Sequence, residues 1–397
     1  MWRRENGSPD RVTTSAAVVV IGGGVIGASI AYHLALQGVD DVIIIDRAHG
    51  PGAGSTGRAT GGFRAQFATP VNVQLSLLSR AALLRFENET GVDPGYQQVG
   101  YLWLASDETQ LDALRAANGM QRTQGLSEAR LIDVDEIRNI NPLINVDGVV
   151  GGAFCPTDGY IRPLDILRGY LESAERLGVR FLWETECIAI KRVGDRIDTI
   201  ETSRGSISID YAVNAAGPWA AAIAAMANID LPVTALRRQA AFTFPCSTIP
   251  ASMPMTIFMD TGFHVRARDG RAFIARPTSD IAGDPGELKA DDEWIDDVEK
   301  LAHERIPVLR DCAVDRSLCY AGLYEMSPDH HAILGKSPNC ENMLFANGSS
   351  GHGVMHSPAI GAIIADMLQG KKPQIDVSML RPSRFDEGMP VEQAELL

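Results

Sequence analysis

The apolar run Val18-Val19-Val20-Ile21 stops at Gly22-Gly23-Gly24, and a second apolar stretch with helical spacing then reaches Leu36. A short apolar run bounded by glycine predicts a buried strand, and the stretch behind it predicts a helix. Asp41-Val42-Ile43-Ile44-Ile45 repeats the strand pattern and ends on Asp46, so a strand–turn–helix–strand unit is expected over 17–46. The same span follows Arg3, Arg4 and Arg11 and so resembles a signal peptide or membrane span. Gly22, Gly23, Gly24 and Gly27 interrupt it, and no membrane association is expected.

Small and polar residues take over from Gly52 to Gly62 and predict a glycine-rich loop. Helical spacing returns over 73–90, 107–124 and 163–177, the last closed by Gly178. Strands are expected at 100–104, 158–161, 179–183, 189–193, 197–202, 206–209 and 212–217. From about 231 to 320 the texture changes to short strands and turns, with a hairpin at Asp269-Gly270 joining 263–268 to 271–276. The α/β alternation resumes with a strand at 344–346, a glycine-rich turn at 348–353 and a helix over 357–368. Residues 1–16 and 381–397 read as tails.

Composition narrows the classes. With 397 residues, 45% of them apolar and 22% charged, the chain is an ordinary globular one with room for two or three domains. A net charge of −14 disfavours nonspecific binding to nucleic acid but leaves local arginines free to meet small anions. Cys155, Cys187, Cys246, Cys312, Cys319 and Cys340 include no C-x-x-C pair and are expected to be reduced thiols of a cytoplasmic protein.

The first turn satisfies G-x-G-x-x-G at Gly22, Gly24 and Gly27, with Val25 and Ile26 opening the helix. The first glycine allows the tight turn, the second lets backbone amides approach a pyrophosphate, and the third lets the helix pack on the sheet. Asp46, about two dozen residues on, can accept hydrogen bonds from an adenosine ribose and disfavours a 2′-phosphate. The fingerprint fits FAD or NAD equally. The loop containing Gly54, Ser55, Thr56, Arg58, Ala59, Thr60, Gly61 and Gly62 has little side-chain bulk and many backbone donors, which suits a long extended cofactor.

Six motifs in order carry a family resemblance: the fingerprint with Asp46-Arg47, Gly54-Ser55-Thr56, Asp158-Gly159-Tyr160, the run from Asn214 to Trp219, the run from Leu323 to Asp329, and the run from Gly348 to Gly353. The chain resembles the D-amino-acid oxidase/sarcosine oxidase superfamily over nearly its whole length. The resemblance implies an α/β fold, α+β overall. A Rossmann-like FAD-binding domain would be assembled from 17–90, 150–230 and 331–380. A second, antiparallel-sheet substrate domain would comprise 91–149 and 231–330. It places Cys187 at the adenine, Ala216, Gly217 and Trp219 near the diphosphate, and Gly322 beside the flavin. Gly351, His352, Gly353, Val354 and Met355 would present a helix N-terminus to the flavin pyrimidine, favouring negative charge on the reduced ring.

In the D-amino-acid and glycine oxidase branch an arginine after a Gly-Leu pair binds the substrate carboxylate; Tyr324 stands there in this chain. The run from Gly322 to His331 looks instead like the group of sarcosine oxidase β-subunit, dimethylglycine dehydrogenase and proline dehydrogenase β-subunit. Arg64 matches the loop arginine that meets the carboxylate in the sarcosine oxidase branch. Gly322 and Arg58 match the cysteine and histidine that anchor flavin covalently in relatives, so noncovalent FAD is implied. Met355 replaces a second carboxylate-binding lysine, and the strand at 273–275 lacks the lysine linked to oxygen activation.

The implied reaction is oxidation of the C–N bond of a small secondary amino acid, with hydride transfer to flavin and hydrolysis of the resulting imine. Dioxygen or another acceptor would take the electrons. Arg64, His264, Arg266, Tyr324, His352 and Met355 are the candidate substrate-site residues, with Arg276 beside them. His264 and Arg266 share a strand face, which is either a site for a second anionic group or a solvent-facing charged strand. His330-His331 lacks a third ligand, and no metal is expected. The alternatives are an NAD-linked dehydrogenase, a glycine or D-amino-acid oxidase, and the catalytic subunit of a hetero-oligomer; an oligomer of unspecified kind is also compatible.

Overall fold

The computed structural model describes residues 14–278 and 288–391. Two eight-stranded sheets organise the chain. In the first, the spatial order is Ile333–Ser337, Cys340–Asn347, Gly205–Asn214, Thr14–Ile21, Val42–Ile45 and Arg180–Leu182. All neighbours on this path are parallel except the first pair. Cys187–Val193 and Arg196–Thr202 form a hairpin joined antiparallel to the early half of Gly205–Asn214. The parallel strands are buried on both faces, which is why they read as unbroken apolar runs. Helices Val25–Leu36, Pro163–Arg176 and Gly353–Leu368 bury one face of this sheet, and Ala220–Met226 lies against the other. The register sets Ile21 level with both Ile45 and Asn214. Gly22, Asp46 and Ala215 therefore emerge together at the carboxyl edge of the strands, where open α/β sheets bind ligands.

The second sheet runs Tyr320–Met326, Thr234–Phe242, Arg271–Ala275, His264–Arg268, Met255–Phe258, Tyr101–Ala105, Gly151–Cys155, Arg130–Ile132. It is antiparallel except where Met255–Phe258 meets Tyr101–Ala105. Segments far apart in the chain thus share one sheet, whose outer face packs on helix Asp292–Arg305 through Trp294, Ile295 and Val298.

Several expectations change here. The region expected to be dominated by short strands and turns also contains the 14-residue helix Asp292–Arg305, with acidic residues in its first turn and apolar ones at helical spacing. The strands expected at 206–209 and 212–217 are one strand, Gly205–Asn214, which pairs with different partners at its two ends. The last helix begins at Gly353, four residues earlier than the pattern suggests. Thr14 to Ala16 belong to the first strand. Residues 381–391 are not a tail: buried Arg384 forms a bidentate pair with buried Asp329 (2.8 and 2.9 Å), which also accepts from the Val391 amide. The expectation of six reduced thiols fails at Cys246 and Cys312, which form a disulfide with Cα atoms 5.8 Å apart. The backbone pairing of Phe244 with Ala313 brings the two neighbourhoods together across 66 residues. Cysteine usage therefore no longer argues for a cytoplasmic setting. Among the described residues no helix is long and apolar enough to cross a membrane.

Candidate active site

A cavity of about 900 Å³ runs from the carboxyl edge of the parallel sheet to the face of the second sheet. At its first end Gly22 has φ +113°, and a Cβ there would lie 2.4 Å from the Ala215 carbonyl oxygen; at Gly27 it would lie 2.0 Å from the Gly22 oxygen. These two glycines are required by the fold itself, and Gly27 does not line the cavity. Gly24 and Gly54 differ. Both have ordinary negative φ. A Cβ at Gly24 would meet nothing nearer than Thr56 Oγ1 at 3.4 Å, and one at Gly54 would meet nothing within 4 Å. No protein atom demands glycine there, so the bare backbone suits a group that lies directly against it. The helix beginning at Val25 has no side-chain cap from Gly24, and the Val25 amide donates to Thr56 Oγ1 at 3.1 Å.

Asp46 joins two loops at this end: its Oδ2 accepts from the Gly23 amide (2.7 Å) and its Oδ1 from the Ala48 amide (2.8 Å). Arg47 stacks on the Trp219 ring at 4.1 Å, and Ala216, Gly217 and Cys187 lie beside them on the wall. The glycine-rich loop crosses to the second sheet, where Ser55 Oγ donates to the Leu323 carbonyl (2.8 Å) and Tyr320 donates to the Arg58 carbonyl (3.0 Å). Val25, Ile26, Ala59, Thr60, Gly61 and Gly62 line the middle of the cavity. Gly322, Gly351, Gly353, Val354 and Met355 line its far side. There the helix Gly353–Leu368 points its N-terminus into the cavity without a side-chain cap. These features fit an extended dinucleotide: bare backbone and helix N-termini where phosphates would lie, and a second uncapped helix N-terminus at the far end.

The far end is a chamber against the second sheet. Arg64 is only 8% exposed, with its guanidinium 4.3 Å from the Phe67 ring and 4.9 Å from the Trp103 ring. It donates to His352 Nε2 at 3.2 Å and to the Gln66 carbonyl at 3.5 Å. Among the described residues it forms no ion pair, and burial lowers its pKa. A guanidinium only donates, so His352 Nε2 accepts and the imidazole is neutral; burial and Arg64 hold its pKa well below the ordinary value. Asp158, buried and raised to about pKa 6 by desolvation, accepts from the Ala65 amide at 2.9 Å and fixes the segment after Arg64.

His264 lines the chamber, and its Nδ1 lies 3.0 Å from the Gly262 carbonyl. The Tyr324 ring packs on Gly351, where a Cβ would approach it to 2.4 Å, and the Arg238 guanidinium stands 5.8 Å from that ring. Met355 is buried in the first turn of its helix, and Arg276 lies at the rim with Asp297 at 3.9 Å. Arg266 requires a correction. It shares the His264 face but does not line the cavity. It sits 4.4 Å over the Tyr160 ring and donates to the Thr60 carbonyl, so it braces the glycine-rich loop from behind. The sequence reading also passes over Tyr101, Trp103, Arg238 and Glu325, all of which line the cavity. The alternation of strand Tyr101–Ala105 was the available signal for the first two. Glu325 has no equivalent signal. It is buried, desolvation raises its pKa to about 7, and its Oε2 has no partner among the described residues.

The sequence profile of the FAD dependent oxidoreductases matches residues 17–367. The chain belongs to this family. Rat (Rattus norvegicus) mitochondrial dimethylglycine dehydrogenase is 27% identical over 417 aligned positions, covering 98% of this chain and 47% of the relative. Bovine (Bos taurus) FAD-dependent oxidoreductase domain-containing protein 1 is 30% identical, covering 93% of this chain and 84% of the relative. The crystal structure of L-proline dehydrogenase from P. horikoshii superposes with a TM-score of 0.88 at 28% identity, over 96% of this chain and 100% of that one. The chain spans about half the length of the dimethylglycine dehydrogenases it matches. As an FAD dependent oxidoreductase it would hold the adenosine half at Asp46, the diphosphate at Gly24 and the glycine-rich loop, and the flavin between Gly322 and the Gly353–Leu368 helix.

Proposed function

We propose that the chain oxidises the C–N bond of a small N-alkylated amino acid, releasing an imine that water hydrolyses. The observation that carries this reading is Arg64: a buried cation in the wall of the cofactor cavity that forms no ion pair among the described residues. Asp158 acts on it only through space, without a direct contact; a buried cation lacking a contacting carboxylate is costly, and a substrate carboxylate meeting the guanidinium fork would lower that cost and fix the substrate's orientation. Bound flavin supplies the hydride acceptor. The protein's own share is positioning: Arg64 holds the carboxylate, while Trp103, Tyr101 and Tyr324 exclude water from the reacting carbon. The names of two relatives point the same way, since dimethylglycine and proline both carry an alkylated nitrogen one carbon from a carboxylate.

The test is a substrate panel. Purified, flavin-loaded protein is offered sarcosine, dimethylglycine, iminodiacetate, proline and D-alanine, with peroxide detection and a dye acceptor in parallel. An N-alkylated amino acid should give the highest kcat/KM; a preference for D-alanine overturns the reading. A second reading, that the chain acts as the catalytic part of a larger assembly, is favoured by its covering only half of the dimethylglycine dehydrogenases. It predicts flavin reduction by substrate in the isolated chain but slow turnover until a partner is added.

A further inference from the structure

We propose that His264 is a catalytic base that removes the ammonium proton of the substrate inside the chamber, so that the enzyme binds the zwitterion and makes the reactive amine in place. This rests on the reading of the chain as an amino-acid oxidising enzyme. The geometry defines the tautomer. A carbonyl oxygen only accepts, so the contact at 3.0 Å to Gly262 puts the imidazole proton on Nδ1. Nε2 is left with a bare lone pair and no hydrogen-bond partner among the described residues. The backbone holds the ring where it is needed. His264 pairs with Ile257 and Ala275 on its two neighbouring strands, and both of those residues line the cavity.

The charged neighbours supply the control. Arg64 faces His264 from the loop after the glycines, Arg238 from strand Thr234–Phe242, and Arg266 from its own strand. Arg276 lies at the rim beyond Ala275, and Tyr101 and Tyr324 complete the wall. Burial and the three arginines keep the imidazole neutral in the empty site. A carboxylate seated on Arg64 cancels one of those positive charges, so His264 becomes a better base when substrate arrives. In the step itself one ammonium N–H bond breaks and one Nε2–H bond forms. The nitrogen keeps the electron pair, which is the pair that the oxidation of its neighbouring C–H bond requires. No electrons leave the substrate in this step.

The experiment is anaerobic rapid mixing of flavin-loaded wild type, His264→Gln and His264→Asn with the best substrate, across pH 7 to 9. Amines of this type lose their proton near pH 10. Wild type should show a second-order rate constant for flavin reduction that is nearly level over this range. The variants depend on free amine from solution, so their rate constants should start about 10³-fold lower at pH 7 and climb about tenfold per pH unit. A readout without turnover accompanies it: calorimetry of acetate binding to wild type in buffers of different ionisation enthalpy should show proton uptake, and His264→Gln should lose that uptake while still binding acetate. Variants as fast and as level as wild type, or acetate binding without proton uptake, overturn the proposal for His264 alone. A wild-type flavin that none of the amino acids reduces overturns the amino-acid reading and this proposal together.

Discussion

Replacing Arg64 by methionine separates function from stability. Arg64 is desolvated, without an ion pair among the described residues, and held by two aromatic faces, His352 and one carbonyl. In the liganded enzyme its contribution is a charge-assisted, bidentate contact to a carboxylate, about 3 kcal/mol. At about 1.4 kcal/mol per decade that corresponds to a loss of roughly 10²-fold in kcat/KM. The folded state responds differently. The variant forfeits cation–π contacts of about 0.5–2 kcal/mol each and leaves His352 Nε2 without its donor, at about 1–3 kcal/mol. It also relieves the burial of a cation that has no contacting carboxylate and only the through-space field of Asp158, which is worth several kcal/mol in the opposite direction. The balance should fall within about 2 kcal/mol of zero. Arg64→Met should therefore keep its flavin and its melting temperature to within a few degrees while losing most of its activity. Arg64→Lys should recover only part, because a point charge lacks the fork. Steady-state kinetics, flavin absorbance and calorimetric melting measure the three quantities. Normal kinetics, or loss of flavin and fold together, would refute the assignment and make Arg64 a structural residue.

Gly24→Val should fold but fail to load flavin, because the added Cβ meets only Thr56 Oγ1 at 3.4 Å within the protein itself; a yellow, fully loaded variant would contradict the placement of the diphosphate. Acid precipitation should release all flavin into the supernatant, because Gly322 and Arg58 offer no nucleophile for a covalent link; flavin retained in the pellet would overturn this. Glu325→Gln should flatten part of the pH dependence of stability. The folded-state pKa of about 7 lies above the ordinary 4.5, so wild type gains stability below about pH 4.5 and loses it as pH rises through 7, by up to about 3 kcal/mol. The melting temperature of the variant relative to wild type should therefore climb between pH 5 and pH 8, and a constant difference would show that Glu325 is ionised throughout.

The parts of the site that were legible in the sequence are those written in local pattern. The strand ending at Ile21, the three spaced glycines and the strand ending at Asp46 are each a run of a few residues, and parallel pairing alone brings them to one edge. Arg64 was legible through its place after Gly61-Gly62, although its lack of an ion pair was not, because Phe67 three residues on, and Trp103 and His352 from two other segments, surround it. Arg266 shows the limit of strand alternation. Period two places it on the His264 face, but it does not reveal that Tyr160, about a hundred residues earlier, covers the guanidinium while Thr60 engages it. The Asp329–Arg384 pair and the Cys246–Cys312 bridge are long-range for the same reason, and no spacing rule announces either.

The wall around His264 bears on which amines the chamber accepts. Met255, Ile257, Trp103 and Ala275 line it, and the buried Trp103 Nε1 is itself a donor. Arg64, Arg238 and Arg266 are cations near His264, so an amine lacking a carboxylate would add a further positive charge beside them. A primary ammonium brings three N–H donors to a wall where His264 Nε2 is the strong acceptor, and each donor left unpaired costs about 1–3 kcal/mol. Each N-alkyl group replaces one of those donors with carbon that the methionine, isoleucine and tryptophan side chains can cover. The discrimination between an N-alkylated amino acid and glycine should therefore reach about 10-fold or more in kcat/KM for each alkyl group added. It should also persist in His264→Gln, because the amide oxygen still offers one acceptor while the base is lost. Glycine oxidised as fast as sarcosine would mean that water or backbone carbonyls satisfy the additional donors, and the apolar wall would then have no part in selecting the substrate.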